Sequence, residues 1–345
     1  MKTSARRAAL VETGTAVDRL YRDVLTGLAR RQKELPCKYL YDERGSRLFE
    51  RICEVEEYYP TRVEIAILAG HAQEMAAALG ADALLIEPGA GSCVKTRILL
   101  EHMREPAGYI PIDISGEHLA ATARIMALSF PHLEILPVHA DFMGEIELPA
   151  CGNSAARRVA FFPGSTIGNL TPQQAVGFLE WIRSVCWKDG ALLIGVDLEK
   201  DPAILERAYN DRAGVTAEFN LNLLHRLNRE LGANFRIDNF RHRAFYNSQH
   251  RRVEMHLVSL VRQSVRIANV EILFEKNETI RTECCYKFSL EGFRALAASA
   301  GLEVRKVWTD PQRFFSVQLC SAGISYKSLY QPLGLQAAAF TSRDS

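Results

Sequence analysis

The sequence predicts an α/β protein: a mostly parallel sheet flanked by helices, an antiparallel last strand, and an inserted α+β unit. Three observations carry this expectation. Apolar runs of strand length alternate with helical stretches between residues 61 and 200, the pattern of a parallel sheet covered on both faces. After Asp197 the alternation gives way to two helices and three period-two runs, and the chain closes with a helix and two strands around Thr309-Asp310-Pro311.

Residues 61–80 read as an amphipathic helix stopped by Gly80, delivering the chain to a strand at 83–87. A helix from about 94, a strand at 109–113 and a helix at 115–129 capped by Ser115 follow, then strands at 134–138 and 158–163. Thr171-Pro172 starts a helix over 172–186, an N-cap followed by proline at the first helical position, and a strand at 191–197 completes the series. Asp201-Pro202 opens another helix, and Thr216 to Leu231 forms one that ends at Gly232. The runs 235–246, 251–267 and 270–288 alternate apolar and polar residues, as in Val253-Glu254-Met255-His256-Leu257. Ser289 to Ala300 forms a helix stopped by Gly301, with strands at 302–308 and 314–320. Residues 61–200 with 287–322 therefore make one domain, 1–60 with 201–286 a second, and 323–345 a weakly ordered tail.

A chain of 345 residues with 48% hydrophobic residues and a net charge of +1 is ordinary globular material. That balance speaks against a nucleic-acid partner, and Arg30-Arg31 and Arg251-Arg252 read as solvated faces. Eight cysteines without CxxC spacing make no zinc site or disulfide framework and suit a reducing, cytoplasmic setting. The N-terminus lacks a long apolar core, and no segment approaches the roughly 18 apolar residues a membrane span requires. The absence of an exposed heptad or apolar stripe points to a monomer.

The chemistry begins at Leu84-Leu85-Ile86-Glu87-Pro88-Gly89-Ala90-Gly91, followed by Tyr109-Ile110-Pro111-Ile112-Asp113. A strand running into an acidic-x-Gly-x-Gly turn, then a second strand ending in a carboxylate, is how an α/β sheet holds an adenosine cofactor. The glycines Gly89 and Gly91 let backbone approach the ligand, and Asp113 can accept from two ribose hydroxyls. Two details favour S-adenosylmethionine over NAD. Val94 stands where a dinucleotide fingerprint needs glycine or alanine, and Glu87 would repel a pyrophosphate but suits a cationic methionine. Lys95, at the start of the next helix, is placed to meet the methionine carboxylate. Asp141 and Phe142, after the third strand, either bond the adenine amino group and cover the base or form a helix cap beside a core phenylalanine.

Gly164-Ser165-Thr166-Ile167-Gly168-Asn169-Leu170-Thr171-Pro172 follows the fourth strand, where a substrate pocket is expected; the helix cap explains Thr171-Pro172 but not Asn169. At this point the chain resembles, over almost its whole length, the S-adenosylmethionine-dependent histidine N-alpha-methyltransferases of ergothioneine biosynthesis. The matching strings are Lys38 to Asp42, Glu57 to Arg62, the glycine loop, Gly164 to Pro172, Ala208-Tyr209, Ala213 to Thr216, Glu254-Met255 and Thr282 to Phe288. The resemblance implies a Rossmann-like class I methyltransferase core with an inserted substrate-binding domain. It also implies roles: Asn169 and Tyr209 hold the substrate carboxylate, Tyr41 and Tyr58 line the methyl-transfer region, Gly164 and Phe219 shape the pocket wall, Met255 belongs to the same pocket, and Glu283 accepts from the imidazole N–H. A buried carboxylate facing an imidazole selects a ring able to donate.

One departure stands out, because the family places serine two positions after this acid and here the residue is Cys285. A thiol is the poorer hydrogen-bonding partner, so histidine loses about 1 kcal/mol of binding, or the pocket is re-specified for a modified histidine, an imidazole nitrogen or an indole amino acid. Pro88 inside the glycine loop is a second, local departure. Two further readings are a catalytically silent cofactor-binding protein, opposed by the joint presence of the glycine loop, Asp113, Asn169, Tyr209 and Glu283, and an NAD-dependent oxidoreductase, opposed by Val94.

Overall fold

The computed structural model describes residues 15–186 and 189–323; the expected tail lies, beyond Gly323, outside the described residues. The main sheet contains β2 (Ala83–Pro88), β3 (Gly108–Asp113), β4 (Val138–His139), β5 (Arg157–Phe162), β6 (Ala191–Asp197), β12 (Leu302–Thr309) and β13 (Phe315–Ala322). Their order is β12-β13-β6-β5-β2-β3-β4. β4, β3, β2, β5 and β6 pair in parallel, whereas β13 runs antiparallel to both β6 and β12. This is the Rossmann-like class I arrangement with the expected closing hairpin.

The central strands carry near-continuous apolar runs, Ala83 to Ile86 and Val159 to Phe162, because both faces are covered. Phe161 points to one face, with Leu85, Tyr109 and Phe315, against α3 (Tyr59–Leu79) and α4 (Val94–Leu100). Phe162 points to the other, with Ile194 and Phe293, against α6 (Pro172–Cys186) and α9 (Leu290–Ser299). Parallel strands end at a common edge, so Glu87, Asp113, the loop after β5 and Asp197 gather there. α5 (Gly116–Ser129) follows Asp113 directly.

A second sheet has the order β1-β11-β8-β7, from β1 (Lys33–Glu34), β11 (Thr279–Tyr286), β8 (Arg252–Ser259) and β7 (Phe240–Asn247). Its core joins Leu40, Phe219, Leu223, Met255, Leu257 and Ile280. α2 (Glu43–Glu54) packs on α8 (Val215–Leu231), which lies against β7 and β8, while α1 (Ala16–Leu28) and α7 (Pro202–Ala208) flank the layer. A two-stranded hairpin, β9 (Gln263–Ile267) with β10 (Val270–Phe274), pairs with neither sheet but packs into the second sheet's core, where Phe274 meets Phe240 edge-on at 5.6 Å.

The structure departs from the sequence expectation in four places. The strand expected at 134–138 shrinks to Val138–His139 plus one bridge between Ile135 and Tyr109, because Pro137 has no N–H for the ladder. Two of the long runs are each two strands: 251–267 breaks after Ser259, and 270–288 breaks at a turn where Asn277 takes a left-handed φ of 69°. Ser115 stands at the N-cap of α5 without a side-chain cap bond; its N–H is instead taken by Asp113 Oδ1 at 2.8 Å. Among the described residues no helix is long and apolar enough to cross a membrane.

Candidate active site

The cofactor end is built from consecutive chain. Gly89 and Ala90 donate their N–H groups to Ile112 O (2.7 and 3.1 Å), which fastens the loop after β2 to the end of β3. Gly91, with φ of 52°, then turns its N–H onto Asp113 Oδ2 at 3.0 Å. With Ser115 N on Oδ1, the half-buried Asp113 carboxylate is fixed by two backbone donors, leaving lone pairs for two hydroxyls. Glu87 lies beneath the loop, 1% exposed, its Oε2 accepting from Thr96 Oγ1 at 2.6 Å and from the Tyr109 hydroxyl. Burial pushes this carboxyl up to about 8 despite those two donors.

Lys95 and Asp141 are both engaged by side chains to which the sequence reasoning gave no partner role. Lys95 Nζ pairs with Glu64 Oε2 at 2.6 Å, and the two Glu64 oxygens accept the Gly164 N–H at 3.0 and 2.8 Å. Glu64 thus ties the glycine-loop helix to the loop after β5. It was discoverable: Glu64, Ile67, Leu68 and Met75 form the buried stripe of α3, and an acid on such a stripe needs a partner. Asp141 accepts from Lys38 Nζ at 3.0 Å and from Met143 N at 3.0 Å, so it closes a turn, and no helix follows. Phe142 packs edge-on against Phe162 and Phe178 (5.6 Å each), and its Cε1 lies 3.5 Å from where a Gly89 Cβ would stand. A half-buried ring over the glycine loop, beside the fixed Asp113 carboxylate, fits an adenosyl group.

The candidate substrate end is assembled from distant segments. Tyr41 meets Phe49 and Phe219 edge-on at 5.5 Å each, Phe49 meets Tyr58 at 6.2 Å, and Tyr58 meets Tyr209 at 6.2 Å. Phe49, on α2, was not anticipated; nothing in its local sequence separates it from a core phenylalanine. Burial raises Tyr41, Tyr58 and Tyr209 well above the usual phenol range, and Glu283 adds to each. All three are therefore neutral phenols near pH 7.

Glu283 and Cys285 reach this cage through a β-bulge. Arg281 pairs with His256 and Glu283 with Met255, so Thr282 is the extra residue, held by Asn220 Oδ1 (2.6 Å) and Met255 O (3.1 Å). The bulge shifts the alternation and sends Glu283, Cys285 and Lys287 to one face. Glu283 is 8% exposed; burial pushes it up to about 7, with Lys287 pulling the other way. The Cys285 thiol, also raised by burial, accepts from Lys287 Nζ at 3.2 Å. The turn Thr166–Asn169 packs on this strand so closely that a Cβ on Gly168 would stand 2.7 Å from Tyr286 O and 3.2 Å from Cys285 Sγ. Asn169, next in the chain, is half-buried at the same seam.

Beneath it lies a buried charge cluster. Asp197 accepts from Tyr59 OH (2.8 Å to each oxygen), Lys200 Nζ (2.6 Å) and Lys287 Nζ (2.8 Å). Burial drags Lys200 down to about 8, whereas Asp197 holds Lys287 well above the usual lysine range against its own burial. Asp197 ends an apolar strand as Asp113 does, and that is the signal by which it could have been found.

A cavity of about 520 Å³ opens between the two halves, lined by Tyr41, Asp42, Arg226, Ile114, Ser115 and Gly116 among others. It runs from the segment after Asp113 to Tyr41, and of the candidate site residues Tyr41 alone lines it; Asp113, the glycine loop, Tyr209 and Glu283 do not. Among the described residues no cluster of three or more His, Cys, Asp or Glu could hold a metal ion.

Comparison with known proteins agrees with this geometry. Residues 20–322 match the family described as histidine-specific methyltransferase, SAM-dependent. The histidine N-alpha-methyltransferase of Mycolicibacterium smegmatis is 42% identical over 311 residues, covering 88% of this chain and 95% of that protein. The protein of the same name from Mycobacterium tuberculosis is 41% identical over 308 residues, covering 88% and 94%. Ergothioneine biosynthesis protein 1 of Neurospora crassa is 35% identical over 298 residues, 80% of this chain and 32% of that longer protein. With a parallel sheet whose strand ends present Gly89, Gly91 and Asp113, and a match of this extent, the chain belongs to the histidine-specific methyltransferases that use S-adenosylmethionine.

Proposed function

We propose that the protein methylates the α-amino nitrogen of free histidine, up to the trimethyl betaine, acting as a cytoplasmic monomer with residues 61–200 and 287–322 holding the cofactor and 1–60 with 201–286 holding the amino acid. The observation that carries this proposal is Glu283: a nine-tenths buried carboxyl, without a described hydrogen bond, on the face it shares with Cys285 and Lys287 and within electrostatic reach of Tyr41, Tyr58 and Tyr209. A buried acceptor in an aromatic enclosure calls for a ligand N–H. Imidazole supplies one.

When bound, S-adenosylmethionine supplies an electrophilic methyl group on a sulfonium. Asp113 would hold the ribose, Phe142 and Asp141 the adenine side, and Gly89, Gly91, Glu87 and Lys95 the loop and methionine side. Asn169 and Tyr209 would hold the amino acid's carboxylate, with Met255 opposite Glu283 in register, and Gly164 and Phe219 as walls. The amine must lose its proton before it attacks. Tyr41 and Tyr58, raised as phenols, do not serve as phenolate bases. They would accept an amine N–H, pass the proton towards water in the seam cavity, and offer ring faces to the methylammonium product. Alignment and exclusion of water then supply most of the acceleration.

The test is mass spectrometry of products from purified protein, S-adenosylmethionine and a panel of histidine, its α-N-methyl and ring-methyl forms, and tryptophan. Successive gains of up to three methyl groups on the α nitrogen of histidine are expected. Turnover of another panel member without turnover of histidine would show that Cys285 re-specifies the pocket.

A further inference from the structure

We infer that Lys287 is a positioning residue, acting through Tyr209, that makes the site select a free α-carboxylate, so that the substrates are free amino acids and not amides or peptides. The inference rests on the proposed role of Tyr209 in holding the substrate's carboxylate.

The hydrogen bonds argue it first. Lys287 Nζ donates to Tyr209 OH at 3.1 Å, to Asp197 Oδ2 at 2.8 Å and to Cys285 Sγ at 3.2 Å. All three ammonium protons are committed, so the lysine does not reach a substrate itself. A phenol oxygen that accepts from an ammonium turns its own hydrogen elsewhere and becomes the stronger donor. On Tyr209 that hydrogen meets the Cys285 thiol, a weak acceptor that a ligand carboxylate would displace. The turn carrying Asn169 closes on the same point, through the contact of Gly168 with Cys285.

The charge count argues it again. Lys200, Lys287 and Asp197 have side chains only 4%, 0% and 1% exposed, and two cations face one anion. Lys200 also spends its protons on acceptors: Tyr59 OH, Asp197 and Leu198 O. An uncompensated buried charge is costly. The further acid that acts on Lys287 is Glu283, which is assigned to the imidazole at the other end of the ligand. A substrate carboxylate against Tyr209 supplies the missing negative charge; a carboxamide supplies none. The frame is rigid, because Phe288 N donates to Asp197 O at 3.1 Å and fixes the strand end that carries Lys287.

The experiment compares histidine with histidinamide in the wild type, Lys287→Met and Lys287→Arg, with S-adenosylhomocysteine calorimetry to confirm an intact cofactor half. In the wild type, KM for the amide is expected to exceed that for the acid by roughly 10- to 100-fold, the worth of a hydrogen bond to a charged group. In Lys287→Met that ratio is expected to fall to about threefold or less, because KM for histidine rises, KM for the amide stays, and kcat changes less than KM. Lys287→Arg keeps the charge and is expected to retain a larger ratio than Lys287→Met. A Lys287→Met ratio equal to wild type, with cofactor binding intact, overturns the inference. So does a wild type that binds the amide as tightly as the acid, a comparison that needs no variant and stands if Lys287→Met does not fold. Should the enzyme methylate a different amino acid, the proposed substrate fails, while the acid and amide of that amino acid still decide the role of Lys287.

Discussion

The two halves of the site are built on opposite principles. The cofactor half is, apart from Asp141 and Phe142, one stretch of chain from Leu84 to Ser115 whose backbone N–H groups fix a single carboxylate, Asp113. The proposed substrate half draws Phe49 from α2 and Tyr41 and Tyr58 from the turns on either side of it, Asn169 from the loop after β5, Tyr209 from the C-cap of α7, Phe219 from α8, and Glu283 to Lys287 from a bulged strand. The first is a local solution that any parallel sheet can offer; the second exists only when five segments pack. On the proposed assignment, chemistry common to all users of the cofactor sits in the first and selectivity in the second.

If that division is right, variants in one half leave the other half's ligand alone. The largest effect is expected for Asp113→Ala, which removes a charged acceptor for two hydroxyls: S-adenosylhomocysteine binding should weaken on the order of 1,000-fold by calorimetry, with the fold unchanged by circular dichroism. Gly168→Ala tests the seam. Its Cβ would meet Tyr286 O at 2.7 Å, so the Asn169 turn must lift from the strand. A misplacement of this kind should cost about 100-fold in kcat/KM for histidine, while S-adenosylhomocysteine affinity holds.

Glu283→Gln comes next, with KM for histidine rising roughly 10-fold and cofactor affinity unmoved. It also carries a pH signature. Burial lifts Glu283 from 4.5 to about 7, so the folded protein binds this proton more tightly than the unfolded chain. That stabilisation is complete below the unfolded value and is lost as pH rises through the folded one. The stability of Glu283→Gln relative to wild type should therefore grow by about 2 kcal/mol between about pH 5 and about pH 8, read by denaturant unfolding. A flat difference would place Glu283 in a more solvated setting. The smallest effect is Cys285→Ser, where a hydroxyl replaces the thiol beside Lys287 and KM for histidine should fall about fivefold. An unchanged KM would mean that residue 285 serves Lys287 and not the imidazole.

The same division governs what could be read without coordinates. Leu84 to Gly91 and Asp113 announce themselves because strand, turn and carboxylate are neighbours in sequence, and the alternation from 61 to 200 gives the sheet. The short β4 was hidden only by Pro137. Apart from the loop Gly164 to Asn169, legible at its strand end, the substrate residues rest on the resemblance, since nothing local distinguishes Tyr58 or Phe219 from core aromatics. The bulge at Thr282 has no sequence mark, yet it sets the face that Glu283 uses. Glu64 and Asp197 lay within reach: an acid on a buried helical stripe and an acid ending an apolar strand both demand partners, and both find lysines.

The most direct test of the account is a crystal structure of the protein with S-adenosylhomocysteine and N,N-dimethylhistidine. The expected complex places the amine at the cofactor sulfur within the Tyr41 and Tyr58 enclosure, the carboxylate on Asn169 and Tyr209, and an imidazole N–H on Glu283. A complex with the imidazole turned to the sulfur and the carboxylate away from Tyr209 would contradict it.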